Sequence, residues 1–118
     1  MNERLTPLER IRSKKDFISL YRNGSRFRGP YFNLVYRPNS LGYSRLAVVV
    51  SKKVGPSVTR NRVKRRLRDL FRRNKGLLPG PLDMIIVTRK EIVDLGAPEL
   101  RVGYFEALQS IRKKRAAS

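Results

Sequence analysis

The chain has 118 residues, 28 of them Lys or Arg and 9 Asp or Glu, giving a formal charge of +19 at neutral pH. With 40% hydrophobic residues it can build one modest core, so a single globular domain over residues 1–118 is expected rather than disorder. The sequence contains neither Cys nor His, which excludes disulfides, thiolate metal sites and imidazole chemistry; no run approaches the roughly eighteen apolar residues of a membrane span.

Residues 1–12 show no periodicity and are expected to form an extended N-terminal arm. Ser13-Lys14-Lys15-Asp16 resembles a capping box with Asp in place of Glu, predicting a helix to about Arg22 and a left-handed stop at Gly24. Phe17 and Tyr21 lie four apart on one face of that helix, with Leu20 adjoining. Residues 26–37 read as strand interrupted at Gly29-Pro30, with Tyr31, Asn33 and Val35 on one face and Phe32, Leu34 and Tyr36 on the other. After turn residues 38–42, Arg45–Ser51 predicts a mostly buried strand that forms a hairpin with the preceding one.

Residues 52–57 lead into a second helix for which either Gly55 or Ser57 could serve as cap, with Asn74 and Gly76 as candidate stops. Asp83–Thr88 is a compact apolar run and reads as a central strand. Pro98 can open a last helix with a buried stripe of Val102, Phe105, Leu108 and Ile111, running into a basic tail over residues 112–118. The order α-β-β-β-α-β-α places the chain in the α+β class, an α/β sandwich of helices on a small mixed sheet.

The second helix carries the strongest functional signal. Residues 59–75, TRNRVKRRLRDLFRRNK, contain nine Lys or Arg and one acid, Asp69. Val63, Leu67, Leu70 and Phe71 form one apolar arc; Asn61, Lys64, Arg65, Arg68 and Arg72 share one flank, and Arg62, Arg66 and Arg73 the other. Like charges at i,i+4 repel by about 0.2–0.5 kcal/mol per pair, so a helix shaped by stability alone would interleave Glu. A merely solvated face does not explain a one-signed excess on an anchored helix. Guanidinium groups match phosphate oxygens with paired N–H donors, and an excess of this size strains a compact state unless a polyanion screens it. Nucleic acid is therefore the expected partner, ahead of an anionic membrane. The opening residues have no apolar signal segment, and a cytoplasmic protein with no membrane partner is expected.

Val50-Ser51-Lys52-Lys53-Val54-Gly55 followed by Arg60-Asn61-Arg62-Val63-Lys64-Arg65 resembles the signature of the bacterial ribonuclease P protein subunit, whose RNR motif matches Arg60-Asn61-Arg62. The resemblance runs from Ile11-Arg12-Ser13 through Asp16-Phe17 and Gly24 to Asp83-Met84-Ile85-Ile86. It implies a fold like the second domain of ribosomal protein S5, with a left-handed β-α-β crossover around the RNR helix. It also implies a catalytic RNA partner that removes the 5′ leader of precursor tRNA, with Mg2+ at the RNA active site. Carried onto this chain, Arg60, Asn61, Arg62, Lys64, Arg65 and Arg68 form the surface for the catalytic RNA, with Arg66 and Arg72 as extensions. Phe17, Tyr21 and Val35 match a leader-binding cleft, with Lys52 and Lys53 near its mouth; Val35 stands where some members have Tyr. Aromatics of this kind hold single strands by stacking on bases, although Phe17 and Tyr21 could equally pack the helix onto the sheet.

Catalysis by this chain itself has little to work with. Glu3, Glu9, Asp16, Asp69, Asp83, Glu91, Asp94, Glu99 and Glu106 are dispersed, with no paired carboxylates or metal-binding spacing. No catalytic residue and no protein-bound metal are expected. The competing reading is a standalone RNA-binding or ribosomal protein; a DNA-binding helix lacks a helix-turn-helix or heptad pattern.

Overall fold

A computed structural model describes residues 6–117. Its elements are α1 (Lys14–Asn23), β1 (Ser25–Arg28), β2 (Phe32–Pro38), β3 (Arg45–Val49), α2 (Ser57–Arg73), β4 (Leu82–Thr88) and α3 (Ala97–Ala117). Short 3-10 segments lie at Pro7–Glu9, Lys52–Val54, Lys75–Leu77 and Lys90–Asp94. The strands form one sheet in the order β1-β2-β4-β3, antiparallel except for the parallel β3–β4 pair. The expected element order and mixed sheet are present, but β2 and β3 do not form a hairpin.

Burial explains the difference. In β4, residues Leu82 to Ile86 and Thr88 are all buried, so this strand is covered on both faces and takes the centre. β3, expected to be mostly buried, has only Leu46 buried and ends at Val49, which is 36% exposed. It is therefore an edge strand, separated from β2 by β4, while the hairpin is β1–β2.

The two sheet faces make two cores. Phe32, Leu34, Tyr36, Leu46, Met84 and Ile86 face α2 and α3, which contribute Val63, Leu67 and Phe71, and Leu100, Tyr104, Leu108 and Ile111. On the other face Leu20 of α1 seals Val35 and Ile85, with Phe17, Ile11, Ala47 and Val87 half-buried around them. The α3 stripe is thus shifted from the expected one: Val102 is 56% exposed, and Leu100 and Tyr104 take the inward positions. Both sets satisfy a three-to-four spacing, and packing against the sheet selects between them.

The helix ends also differ in detail. Ser13 Oγ accepts from the Asp16 backbone N–H at 3.2 Å, as expected. Gly24 ends α1 at φ −74°, not in the left-handed region. A Cβ there would lie 2.8 Å from both the Leu20 carbonyl oxygen and Val35 Cγ1, so glycine permits the close approach of helix and sheet. At α2 neither Gly55 nor Ser57 is the cap; Pro56 occupies that position without a side-chain cap. Asn74 closes the helix, donating from its amide to the Leu70 carbonyl at 2.8 Å.

The expected arm is an ordered strap where it is described. Thr6 and Glu9 form a capping box around the 3-10 turn, Arg10 bridges Leu46, and the Ile11 N–H donates to the Leu46 carbonyl at 3.2 Å. Glu9 is buried and pairs with Lys75 at 2.6 Å. Burial raises its pKa, but hydrogen bonds from Lys75 and Thr6 outweigh this and leave the carboxyl below its ordinary value. Residues 1–5 lie outside the described residues. At the other terminus α3 continues to Ala117, so the basic residues 112–115 are helical; Ser118 lies outside the described residues.

Asp83 is the polar anchor of the fold. Its carboxylate accepts from Arg45 at 2.9 and 2.7 Å and from Asn39 at 2.8 Å, while Arg45 also reaches Asp16 at 3.4 Å. Burial raises the Asp83 pKa, yet the bonds from Arg45 and Asn39 prevail and hold it below the usual carboxylate range. Its stabilisation is therefore complete above about pH 4, the unfolded value, and is lost as pH falls through the folded pKa. Asp83→Asn is expected to cost roughly 1–2 kcal/mol at pH 7, and the gap from the parent will narrow at pH 3 in urea titrations. A gap independent of pH would contradict this assignment.

Tyr104 is fully buried, and its hydroxyl has no hydrogen-bond partner among the described residues. Burial pushes its pKa up. Tyr104→Phe removes an uncompensated polar atom and is expected to leave thermal stability unchanged or raise it by about 1 kcal/mol. A clear loss in melting temperature would show that the hydroxyl has a partner in solution.

Candidate nucleic-acid interface

The apolar arc of α2 anchors it over β3, with Val63, Leu67 and Phe71 at 5% exposure or less and Leu70 half-buried. Opposite this arc, Asn61, Arg62 and Arg65 are exposed, and Lys64 and Arg68 are half-buried. The other expected contact residues are engaged within the chain. Arg60 turns back to donate to the Gly55 carbonyl and to Ser57 Oγ, both at 3.1 Å, which braces the entry to α2. Arg66 donates to the Leu95 carbonyl at 3.4 Å, and Arg72 lies 3.6 Å from Asp69. The open cationic surface is thus concentrated on Asn61, Arg62, Lys64, Arg65 and Arg68. Arg10, from the strap along β3, joins it: burial first, then the charge of Arg10, lowers the Arg68 pKa. That neighbour arises from a strap paired with β3, and nothing in the local sequence signals it.

The opposite sheet face carries the aromatic pair. The rings of Phe17 and Tyr21 stack with centroids 6.2 Å apart and planes 10° from parallel. Tyr21 is 44% exposed, and the Arg26 guanidinium lies 4.8 Å from its ring centroid. Strand register explains the space beside them. α1 packs against β2 and β4, sealing the centre of the row Arg26–Val35–Ile85–Ala47. Two residues further along each strand, the same-face row Arg28–Asn33–Val87–Val49 is exposed or half-buried. A cleft of about 270 Å³ opens there, lined by Tyr21, Arg26, Arg28, Asn33 and Arg89 among others.

Val35 does not fit the role expected of it. Its side chain is 1% exposed beneath α1, so it supports Leu20 and offers no surface to a base. Lys52 and Lys53 are exposed on the turn that follows β3, whose last residue, Val49, belongs to the open row. Arg26, Arg28, Asn33 and Arg89 were missed by sequence reasoning; alternation from Val35 was the one signal that pointed to Asn33.

The acids do not gather into a metal seat. Asp16 and Asp83 are held by Arg45, Asp69 by Arg73, and Glu9 by Lys75. Among the described residues, no group of three or more Asp or Glu could hold a metal ion, and no helix is long and apolar enough to cross a membrane.

The ribonuclease P family model matches residues 5–112. The chain belongs to the ribonuclease P protein family. It is 40% identical over 92 residues to the ribonuclease P protein component of Thermotoga maritima, covering 78% of this chain and 79% of that one. The protein component of Desulfatibacillum aliphaticivorans is 39% identical over 95 residues, 80% of each chain. The solved structure of the Thermotoga maritima RNase P protein superposes with a TM-score of 0.80 at 34% identity, covering 87% of this chain and 97% of that one. The Staphylococcus aureus RNase P protein gives 0.78 at 28% identity, over 89% and 95%. The ribonuclease P resemblance read over residues 11–86 thus holds, within a family match over residues 5–112.

Proposed function

We propose that this chain is the protein subunit of a ribonuclease P ribonucleoprotein that removes the 5′ leader of precursor tRNA. The exposed flank of α2 binds the catalytic RNA, and the cleft beside α1 takes the leader as a single strand. The observation that carries this reading is the placement of these two surfaces on opposite faces of one sheet, with α2 over β3 and α1 over β2 and β4. A rigid layer between them lets one protein hold the RNA core and the substrate strand in fixed relation, converting binding into positioning.

Bond cleavage belongs to the RNA in this proposal. Among the described residues no three acids gather to hold the Mg2+ that would activate water there, and Glu9, Asp16, Asp69 and Asp83 are engaged by Arg and Lys. The protein's own contribution is cationic: α2 offsets phosphate repulsion as RNA core and substrate approach, and the cleft adds affinity for the segment that mature tRNA lacks. Reconstitution with a ribonuclease P RNA tests this. Added protein should restore precursor cleavage at low magnesium and raise the ratio of precursor to mature tRNA affinity, while the protein alone leaves precursor intact. Cleavage by the protein alone, or failure to join the RNA, would reject the proposal.

A further inference from the structure

The stripe that the sequence predicts as buried on α3, Val102, Phe105, Leu108 and Ile111, is only half used by the fold. Leu108 and Ile111 join Leu100 and Tyr104 in the core, while Val102 stays 56% exposed and Phe105 half-buried. The helix therefore keeps a second apolar row that the sheet does not cover. Facing this row is the 3-10 turn Lys75–Leu77, where Leu77 is 42% exposed. Between them runs a groove in two adjoining parts. An apolar part of about 330 Å³ is lined by Leu77, Val102, Phe105 and Leu108 among others; at Leu77 and Arg112 it meets a cationic part of about 370 Å³ that ends at Arg115. Arg112 and Arg115 are both exposed. Glu106, the one acid among the described lining residues, belongs to the apolar part alone, so the groove is polarised along its length.

We propose that this groove docks an acidic amphipathic helix of another protein, its apolar side chains over Leu77 and Val102 and its Asp or Glu residues at Arg112 and Arg115. Charge and surface chemistry select this occupant. A nucleic-acid backbone gains nothing from exposed aliphatic groups, whereas covering them with apolar side chains contributes about 25 cal/mol per Å². A second copy of this chain would bring a charge of +19 against +19. An acidic helix satisfies both ends of the groove. Val102, Phe105, Gln109 and Arg112 follow one another at three- and four-residue intervals along about 15 Å of α3, a spacing that the anchors of a docked helix can match. The position leaves the two surfaces described above open: α3 lies against β1 and α2 against β3, at opposite edges of the sheet, and Arg10 joins the α2 surface from the β3 side. The docking site does not rest on the function proposed above.

The test is titration of the full-length protein with a synthetic helical peptide that carries Leu along one face and Glu toward one end, read by the methyl signals of Leu77 and Val102. The expected result is a saturable shift of both, retained when the protein is already bound to RNA. Val102→Glu, a change at an exposed position, should weaken the peptide at least tenfold and leave RNA affinity at the parent's value. Arg112→Glu should weaken it as well, and a peptide with Lys in place of Glu should prefer the Arg112→Glu protein to the parent. A peptide with Ser in place of Leu keeps the charge and should move α2 signals alone. Unmoved Leu77 and Val102 methyls at peptide concentrations that saturate α2 would overturn the site, because bulk charge would then account for binding. A Val102→Glu protein that titrates like the parent would overturn it too. Methyl shifts produced by RNA alone would assign the groove to nucleic acid, and shifts that grow with protein concentration would assign it to self-association; either result overturns the acidic partner.

Discussion

Replacing Arg62, Lys64 and Arg65 together with Gln is expected to weaken binding to a ribonuclease P RNA by about 10²–10⁴-fold at moderate salt. Arg62 and Arg65 are exposed and Lys64 half-buried, while the arc that docks α2 is formed by Val63, Leu67 and Phe71. The folded state should therefore survive, and circular dichroism should show it. Each neutralised phosphate contributes about 0.7–0.9 to the slope of log affinity against log salt, so loss of three contacts reduces that slope by about 2–3. The slope is the sharper readout, because a mutation that merely loosened the protein would lower affinity without lowering its salt dependence. Equal slopes for parent and variant would show that this flank is not the grip. Arg60→Gln is expected to behave differently. Its bonds to Gly55 and Ser57 make it a brace for the entry to α2, so stability will fall along with affinity.

The second large effect is expected at Tyr21. Tyr21→Ala removes an exposed ring stacked on Phe17 and covered by Arg26, and should reduce precursor tRNA affinity of the reconstituted enzyme by about 1–3 kcal/mol, or 5- to 150-fold. Mature tRNA lacks the leader and should bind unchanged. Shortening the leader should produce the same loss in the parent, and the variant should then lose nothing more. If Tyr21→Ala weakened both tRNAs alike, the ring would be supporting the fold instead of a base. Phe17→Ala is a less direct probe, since Phe17 is half-buried against Leu20, Val35 and Ile85, and part of its effect will be on stability.

Local chemistry made some of this fold legible, and long-range pairing concealed the rest. Val63, Leu67 and Phe71 recur at helical spacing among one-signed charges, so both the docking and the open face of α2 can be read from seventeen residues. Met84, Ile85 and Ile86 are apolar on both faces of a strand, which marks a central position. Which neighbours flank it could not be read locally: Arg45 and Asp83, 38 residues apart, share one row only because β3 and β4 run parallel. The same holds for the site. Phe17 and Tyr21 announce themselves by spacing, whereas Asn33 and Arg89 meet across 56 residues and Glu9 and Lys75 across 66. Val35 illustrates the opposite error, since alternation gave the correct face but could not show that Leu20 closes over it.

The central strand has a consequence for how the protein is made. β4 pairs with both β2 and β3, yet it leaves the ribosome after both of them and after α2. Until Leu82–Thr88 emerges, two nascent strands wait with open edges and the cationic helix has no finished surface on which to settle. Assembly is thus timed by the arrival of one seven-residue segment. A translation product stopped before Leu82 will carry the whole arginine-rich helix and still lack the strand that joins β3, on which that helix sits, to the β1–β2 hairpin.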